Sequence, residues 1–166
     1  MAKEIFDFYH ADAMIVTPWF GFDTLEPYQN YKGKACFVLC HDSNPSAYEV
    51  QDVELKNGKK LYEHVTDLVC HKWNTSGNIL IEAPLTYPKI LKDIYQLSSK
   101  NQFFMVAGLG AQGGEIKDLS IFSESRNFIV NASRSIIFAS EGKDFAQKAR
   151  EVVLAYNDQI NQVLNA

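Results

Sequence analysis

Phe103-Phe104-Met105-Val106-Ala107-Gly108-Leu109-Gly110-Ala111-Gln112-Gly113-Gly114 passes in one step from a continuous apolar run to a loop of four glycines, and Glu115 to Phe122 then resumes with helical spacing. This is the punctuation of a βα unit. A strand covered on both faces shows no polar alternation, and glycine marks the turn that leads the chain back over the sheet. Downstream, Phe128-Ile129-Val130-Asn131 repeats the apolar run, followed by helices over Ala132 to Ala139 and Asp144 to Leu164. The last helix carries Phe145, Ala149, Val152, Tyr156, Ile160 and Val163 on one stripe.

Working upstream, the same grammar predicts a strand over Asn78 to Ala83 and a helix starting near Pro88, a favourable first-turn residue, and running through Leu97. Before these come a strand over Ala35 to Cys40, a long polar loop from His41 to Lys60, and a helix through Leu61, Val65, Leu68 and Val69. Ala13 to Thr17 is the first strand, followed by a short helix around Thr24 to Tyr31, and Ala2 to Tyr9 reads as a helix end with Ile5 and Phe8 on one face. Five βα units without a repeat or linker make residues 1–166 one α/β domain with a parallel sheet. Five strands do not close a (β/α)8 barrel, which takes about 250 residues. The chain opens on a helix end, as though earlier units preceded it.

Composition sets the outer limits. With 46% hydrophobic and 22% charged residues the chain is an ordinary globular one, and its net charge of -4 argues against coating nucleic acid or an anionic membrane. No apolar run reaches membrane-spanning length, and Met1 to Asp7 alternates charge with aromatics where a signal peptide would have a basic flank and an apolar stretch. The three cysteines, Cys36, Cys40 and Cys70, form no CxxC, so a reduced, cytoplasmic protein is expected. Cys40-His41 and Cys70-His71 lack zinc-finger spacing, and no metal or cofactor is expected.

Two consecutive loops carry the clearest chemistry. The glycines of 108–114 expose backbone N–H groups before a helix, and Asn131-Ala132-Ser133-Arg134-Ser135 places an arginine, a bidentate phosphate donor, at the start of the next. Together they predict a phosphate site. The plainer alternative has the glycines serving tight turns and Arg134 pairing on the surface. Gly108-x-Gly110-x-x-Gly113 also spells a dinucleotide fingerprint, but its acidic partner position is Asn131 and only one further βα unit follows. After the second strand, Ser43 and Asn44 offer a planar heterocycle hydrogen bonds, or simply belong to a turn closed by Asn44-Pro45. Tyr48, Gln51 and the basic run Lys56 to Lys60 read as a lid or a solvated loop, and His10 and His64 as surface or packing residues. Glu82, at the end of the third strand, is a candidate general base. No HExxH, no Ser/His/Asp arrangement and no Asp-x-Lys occurs.

Ala11-Asp12-Ala13-Met14-Ile15-Val16-Thr17-Pro18-Trp19-Phe20-Gly21, Ser43-Asn44-Pro45, Gly108-Leu109-Gly110-Ala111-Gln112-Gly113-Gly114 and Asn131-Ala132-Ser133-Arg134-Ser135-Ile136 resemble, in order and spacing, the C-terminal part of orotidine 5'-phosphate decarboxylases of the branch with a Gly-Ala-Gln-Gly-Gly loop. The resemblance implies a TIM-barrel-type fold, with this chain holding the barrel's fourth to eighth strands. It further implies the conversion of orotidine 5'-phosphate to UMP and carbon dioxide without a cofactor, and a homodimer or a second chain that completes the barrel. Carried onto this sequence, Gln112, Gly113, Ser133 and Arg134 would hold the phosphate, Ser43 the pyrimidine edge, and Asn44 would shape its loop. The family's Asp-x-Lys-x-x-Asp array, which supplies the catalytic lysine and aspartates, is absent from these residues, so no catalytic residue is assigned. The alternatives are a non-catalytic nucleotide- or phosphate-binding half of a split enzyme and a dinucleotide-binding domain. Ile81-Glu82-Ala83-Pro84 departs from the family's Val-Gly-Ala-Thr, and His41-Asp42 from its Arg-Thr.

Overall fold

The computed structural model describes all 166 residues. Five strands, β1 (Ala13–Val16), β2 (Ala35–Leu39), β3 (Ile79–Pro84), β4 (Phe104–Ala107) and β5 (Phe128–Asn131), form one sheet. All its pairings are parallel and its order is β1-β2-β3-β4-β5, curled into a half-barrel with helices alternating along it. The strict sequential order has no reversal, and therefore lacks the switch point at which a doubly wound sheet binds a dinucleotide.

The helices are α1 (Glu26–Gln29), α2 (Tyr48–Gln51), α3 (Leu61–Leu68), α4 (Pro88–Leu97), α5 (Arg134–Ile137) and α6 (Phe145–Leu164). A π-helical turn, Val69–Trp73, extends α3, and another, Glu4–Phe8, opens the chain. The loop from His41 to Lys60 is more ordered than a solvated lid: it contains α2 and an antiparallel bridge between Glu54 and Lys60. Gln51 is buried and accepts the Asp42 N–H at 2.8 Å, while Lys60 pairs with Asp52 and Lys59 with Asp67.

The register divides the sheet's residues between two faces. Cys36 and Val38 of β2, Ile79, Ile81 and Ala83 of β3, and Phe104 and Val106 of β4 join one core with Tyr62, Val65, Val69, Leu91, Ile94, Leu119 and Phe122 beneath the helices. Phe37, Leu39, Leu80, Glu82, Met105 and Ile129 alternate with them and face the inside of the curl. Phe37 and Met105 are buried there outside the helix-side core, and Phe37 meets Phe103 at 6.4 Å. At the two ends of the sheet, β1 and β5 each have one unpaired edge, and Ile15 and Ile129 are 46% and 45% exposed.

Three helical details differ from the expectations of spacing. In the opening turn Phe6 is buried against Tyr28 and Tyr31, and Phe8 lies 73% exposed. On α6, Ala149, Val152, Tyr156, Ile160 and Val163 face inward, but Phe145 stays exposed. The segment after the glycine loop, Ile116–Phe122, is a 3-10 helix, and α5 is a single turn, shorter than the expected Ala132 to Ala139. Phe122 ends the former. It is fully buried, stacks on Phe128 at 4.6 Å and meets Tyr95 and Phe104 each at 5.2 Å, joining β4, β5 and α4. Phe122→Ala should cost about 3–5 kcal/mol in urea unfolding, because the ring leaves a cavity that three elements share.

Candidate functional site

Because every strand runs the same way, the loops after β2, β3, β4 and β5 gather on one rim. A cleft of about 200 Å³ on that rim is lined by Ala107, Gly108, Leu109, Ala111, Gln112, Asn131, Ser133 and Arg134. It joins the two loops that the sequence singles out, and brings Gln112 together with Ser133 and Arg134. No carboxylate lies within ion-pair distance of Arg134, whose guanidinium faces a cleft without a fixed anion.

The glycine loop works differently from an open row of donors. The N–H groups of Gly110, Gly113 and Gly114 are spent inside the loop, on the carbonyls of Gly114 at 3.4 Å, Gly110 at 2.8 Å and Gly108 at 3.0 Å. The amides of Ala111 and Gln112, and across the cleft that of Ser133, make no backbone hydrogen bond. Those three donors and Arg134 are among the groups the cleft offers an anion. The helix-terminus contribution expected from sequence is missing, since both following helices are too short to develop one. Gly113 is open and lies outside the cleft lining, at φ +91°.

Gly108 is where the loops meet. At φ +102° it has no room for a side chain: a Cβ there would lie 2.5 Å from Thr86 Oγ1 and 3.5 Å from both Gln112 Oε1 and Ser43 Cβ. Ser43, Thr86 and Gln112, from three successive loops, thus converge on one backbone position. Asn44 points elsewhere. It is exposed and lines a neighbouring cleft of about 250 Å³ with Trp19 and Asp42, and its carbonyl accepts the Tyr87 hydroxyl at 3.1 Å. Thr86 and Tyr87 are the rim residues that sequence reading missed; an isolated Thr-Tyr before a helix carries no motif. His41 is buried behind them, edge-on to Tyr62 and Tyr87, its Nδ1 donating to the Asp42 carbonyl at 2.7 Å and its Nε2 3.2 Å from Asp52. His10 is exposed, in keeping with a surface residue, and His64 is half-buried on α3. Cys36 and Cys40 are packing residues, both fully buried in the core.

Glu82 stands below the cleft, on the inner face between Leu39 and Met105. It is 7% exposed, and its Oε2 has no hydrogen-bond partner. Burial, reinforced by the Asp42 carboxylate, raises its pKa to about 7. The folded chain therefore holds this proton at pH values where the unfolded chain, with an ordinary carboxyl near 4.5, has lost it. Stability is unaffected below about 4.5 and falls as pH rises from there through about 7. Glu82→Gln should be about 2–3 kcal/mol more stable than the parent at pH 8 and nearly equal to it at pH 4.5, by urea unfolding at the two pH values.

No family model matches the chain. The orotidine 5'-phosphate decarboxylase of Cupriavidus necator is 36% identical over 164 residues, which are 97% of this chain and 60% of that relative. That of Janthinobacterium sp. is 37% identical over 166 residues, 98% of this chain and again 60% of the relative. Among solved structures, Leishmania donovani OMP decarboxylase superposes with a TM-score of 0.81 at 26% identity, covering 99% of this chain and 62% of that one. The chain spans about three fifths of the length of the curated relatives it matches. Along nearly its whole length the chain is therefore similar, in sequence and in fold, to part of the orotidine 5'-phosphate decarboxylases, which are TIM-barrel-type proteins.

Proposed function

We propose that this chain is the nucleotide-binding portion of an orotidine 5'-phosphate decarboxylase-type barrel, which takes the phosphate of orotidine 5'-phosphate or UMP into the cleft between the loops after β4 and β5. One observation carries the reading: the free amides of Ala111, Gln112 and Ser133 and the unpaired Arg134 all line that cleft. Gln112 adds its side-chain amide and Gly113 lets the loop turn. Ser43, which lies with Gln112 around Gly108, receives the pyrimidine edge in this reading, while Asn44 acts on the shape of its loop.

Decarboxylation is the family's reaction, and it needs an ammonium and carboxylates where charge develops on the ring. These 166 residues contain no Asp-x-Lys sequence, and Glu82 and Asp42 bring acids to the inner face without a lysine. Catalysis therefore requires groups from outside this stretch of chain. The sheet has a place for them, since β1 and β5 have free edges and the curl is open between them. In this reading the working unit is completed by further βα units or by a second copy, it acts in the cytoplasm, and it binds neither nucleic acid nor a membrane. No helix is long and apolar enough to cross a membrane.

UMP should raise the melting temperature of the chain saturably, and Arg134→Ala should abolish the shift while leaving the unliganded melt within a degree or two; NAD should produce none. Ligand at about 100 times its dissociation constant stabilises the folded state by about 2.7 kcal/mol, enough to read in such a melt. A shift with NAD and none with UMP would overturn the assignment. The free edges should also make the isolated chain self-associate, so light scattering at micromolar concentration should give a mass above 18.8 kDa; a monomer would argue that the edges are protected.

A further inference from the structure

The rim cleft and the inner face beneath it differ in charge. Arg134 and the free amides lie at the rim, and Glu82 lies deeper on the inner face. Its register partner Met105 precedes the cleft residue Ala107 by two residues. Two residues along a strand and one strand across correspond to about 8 Å between backbone positions. A ligand of nucleoside-monophosphate size that keeps its phosphate at the rim and runs inward along β4 would bring its other end to Glu82.

No cation meets that end. Lys, Arg and His side chains are all beyond ion-pair distance of the Glu82 carboxylate. The titratable groups that act on it are Asp42, from the loop after β2, and the buried Cys40 thiol. From β4 it meets only the apolar Phe104–Ala107 segment, and β5 contributes the neutral Asn131, whose Nδ2 donates to Met105 Sδ at 3.2 Å. Two acids at the inner end repel a third. A neutral ring edge with an N–H, or a cationic group, instead satisfies the lone pairs that Glu82 Oε2 leaves unused.

We propose that Glu82 is a specificity-determining residue, which selects phosphorylated ligands whose end away from the phosphate is neutral or cationic and rejects those with a carboxylate there. The inference rests on the nucleotide reading above and sharpens it: of a carboxylated nucleotide and its decarboxylated counterpart, this chain retains the latter.

Equilibrium dialysis of the whole chain at pH 8 with UMP and with orotidine 5'-phosphate isolates the effect, because the two differ only in the ring carboxylate. The recovered nucleotide is checked chromatographically to be unchanged. The parent chain should bind UMP about tenfold or more tightly than orotidine 5'-phosphate, as like charges a few Å apart in a partly buried site require. Glu82→Gln should bring the ratio below about threefold, with UMP affinity changed less than that and a cooperative melt retained. Should Glu82→Gln fail to melt cooperatively, Glu82→Gly serves the same comparison. Equal binding of the two nucleotides by the parent, or a preference that survives in a folded Glu82 variant, overturns the inference while leaving the nucleotide site standing. Failure of the parent to bind either nucleotide overturns the nucleotide site and this inference with it.

Discussion

The parallel ladder in strict sequential order is the constraint on which everything else depends. Once β1 to β5 pair in the order in which they are made, every connection crosses back over the same face and every strand ends on the same rim. Helices then cover one face with the core that Ile81, Val106 and Phe122 share, and the loops after four of the strands are brought into reach of one another. Ser43, Thr86, Gln112 and Arg134 lie far apart in sequence and adjacent in space for that reason alone.

Within that frame the glycine loop is a packing solution. Gly108 lets three loops close on each other where a Cβ would collide with Thr86, and Gly110 passes close to the Tyr156 hydroxyl of α6. Gly114 packs against the Gly108 carbonyl and Leu85. The loop's internal hydrogen bonds hold this shape, and the amides of Ala111 and Gln112, which line the cleft, are left without a backbone partner. Fixed donors of this kind bind an anion with little reorganisation, since the loop is already ordered by its own bonds.

The inner face is where the chain departs from an even apolar layer. Phe37, Leu80, Phe103 and Met105 are apolar, and Glu82 lies among them with one oxygen unpartnered. A carboxylate so placed is either protonated or answered by a donor, because the folded chain offers no counter-ion. Its cost is borne by the folded state, and it makes the interior differ in charge from the rim that carries Arg134. The open edges at β1 and β5 raise the same demand at the level of the backbone, since their unpaired N–H and C=O groups are available for a further strand.

The elements and their order are legible in local sequence pattern. Continuous apolar runs located all five strands to within a residue or two, Pro88 and Leu97 bounded α4, and the Gly-rich and Asn-Ala-Ser-Arg segments marked the two loops that form the cleft. These are local properties, set by periodicity and by turn chemistry, and the ordered motifs carried the resemblance to the family as well. Local pattern failed where neighbours from elsewhere decide: Phe8 and Phe145 fit the apolar stripes but stay exposed, the segment after β4 winds as a 3-10 helix, and the helix after β5 is a single turn. Only the tertiary structure decided which loop amides remain free, that Ser43 and Gln112 meet across Gly108 while Asn44 turns away, and that Glu82 is buried without a partner. Each of those depends on sheet register and on side chains tens of residues apart, which no local spacing encodes.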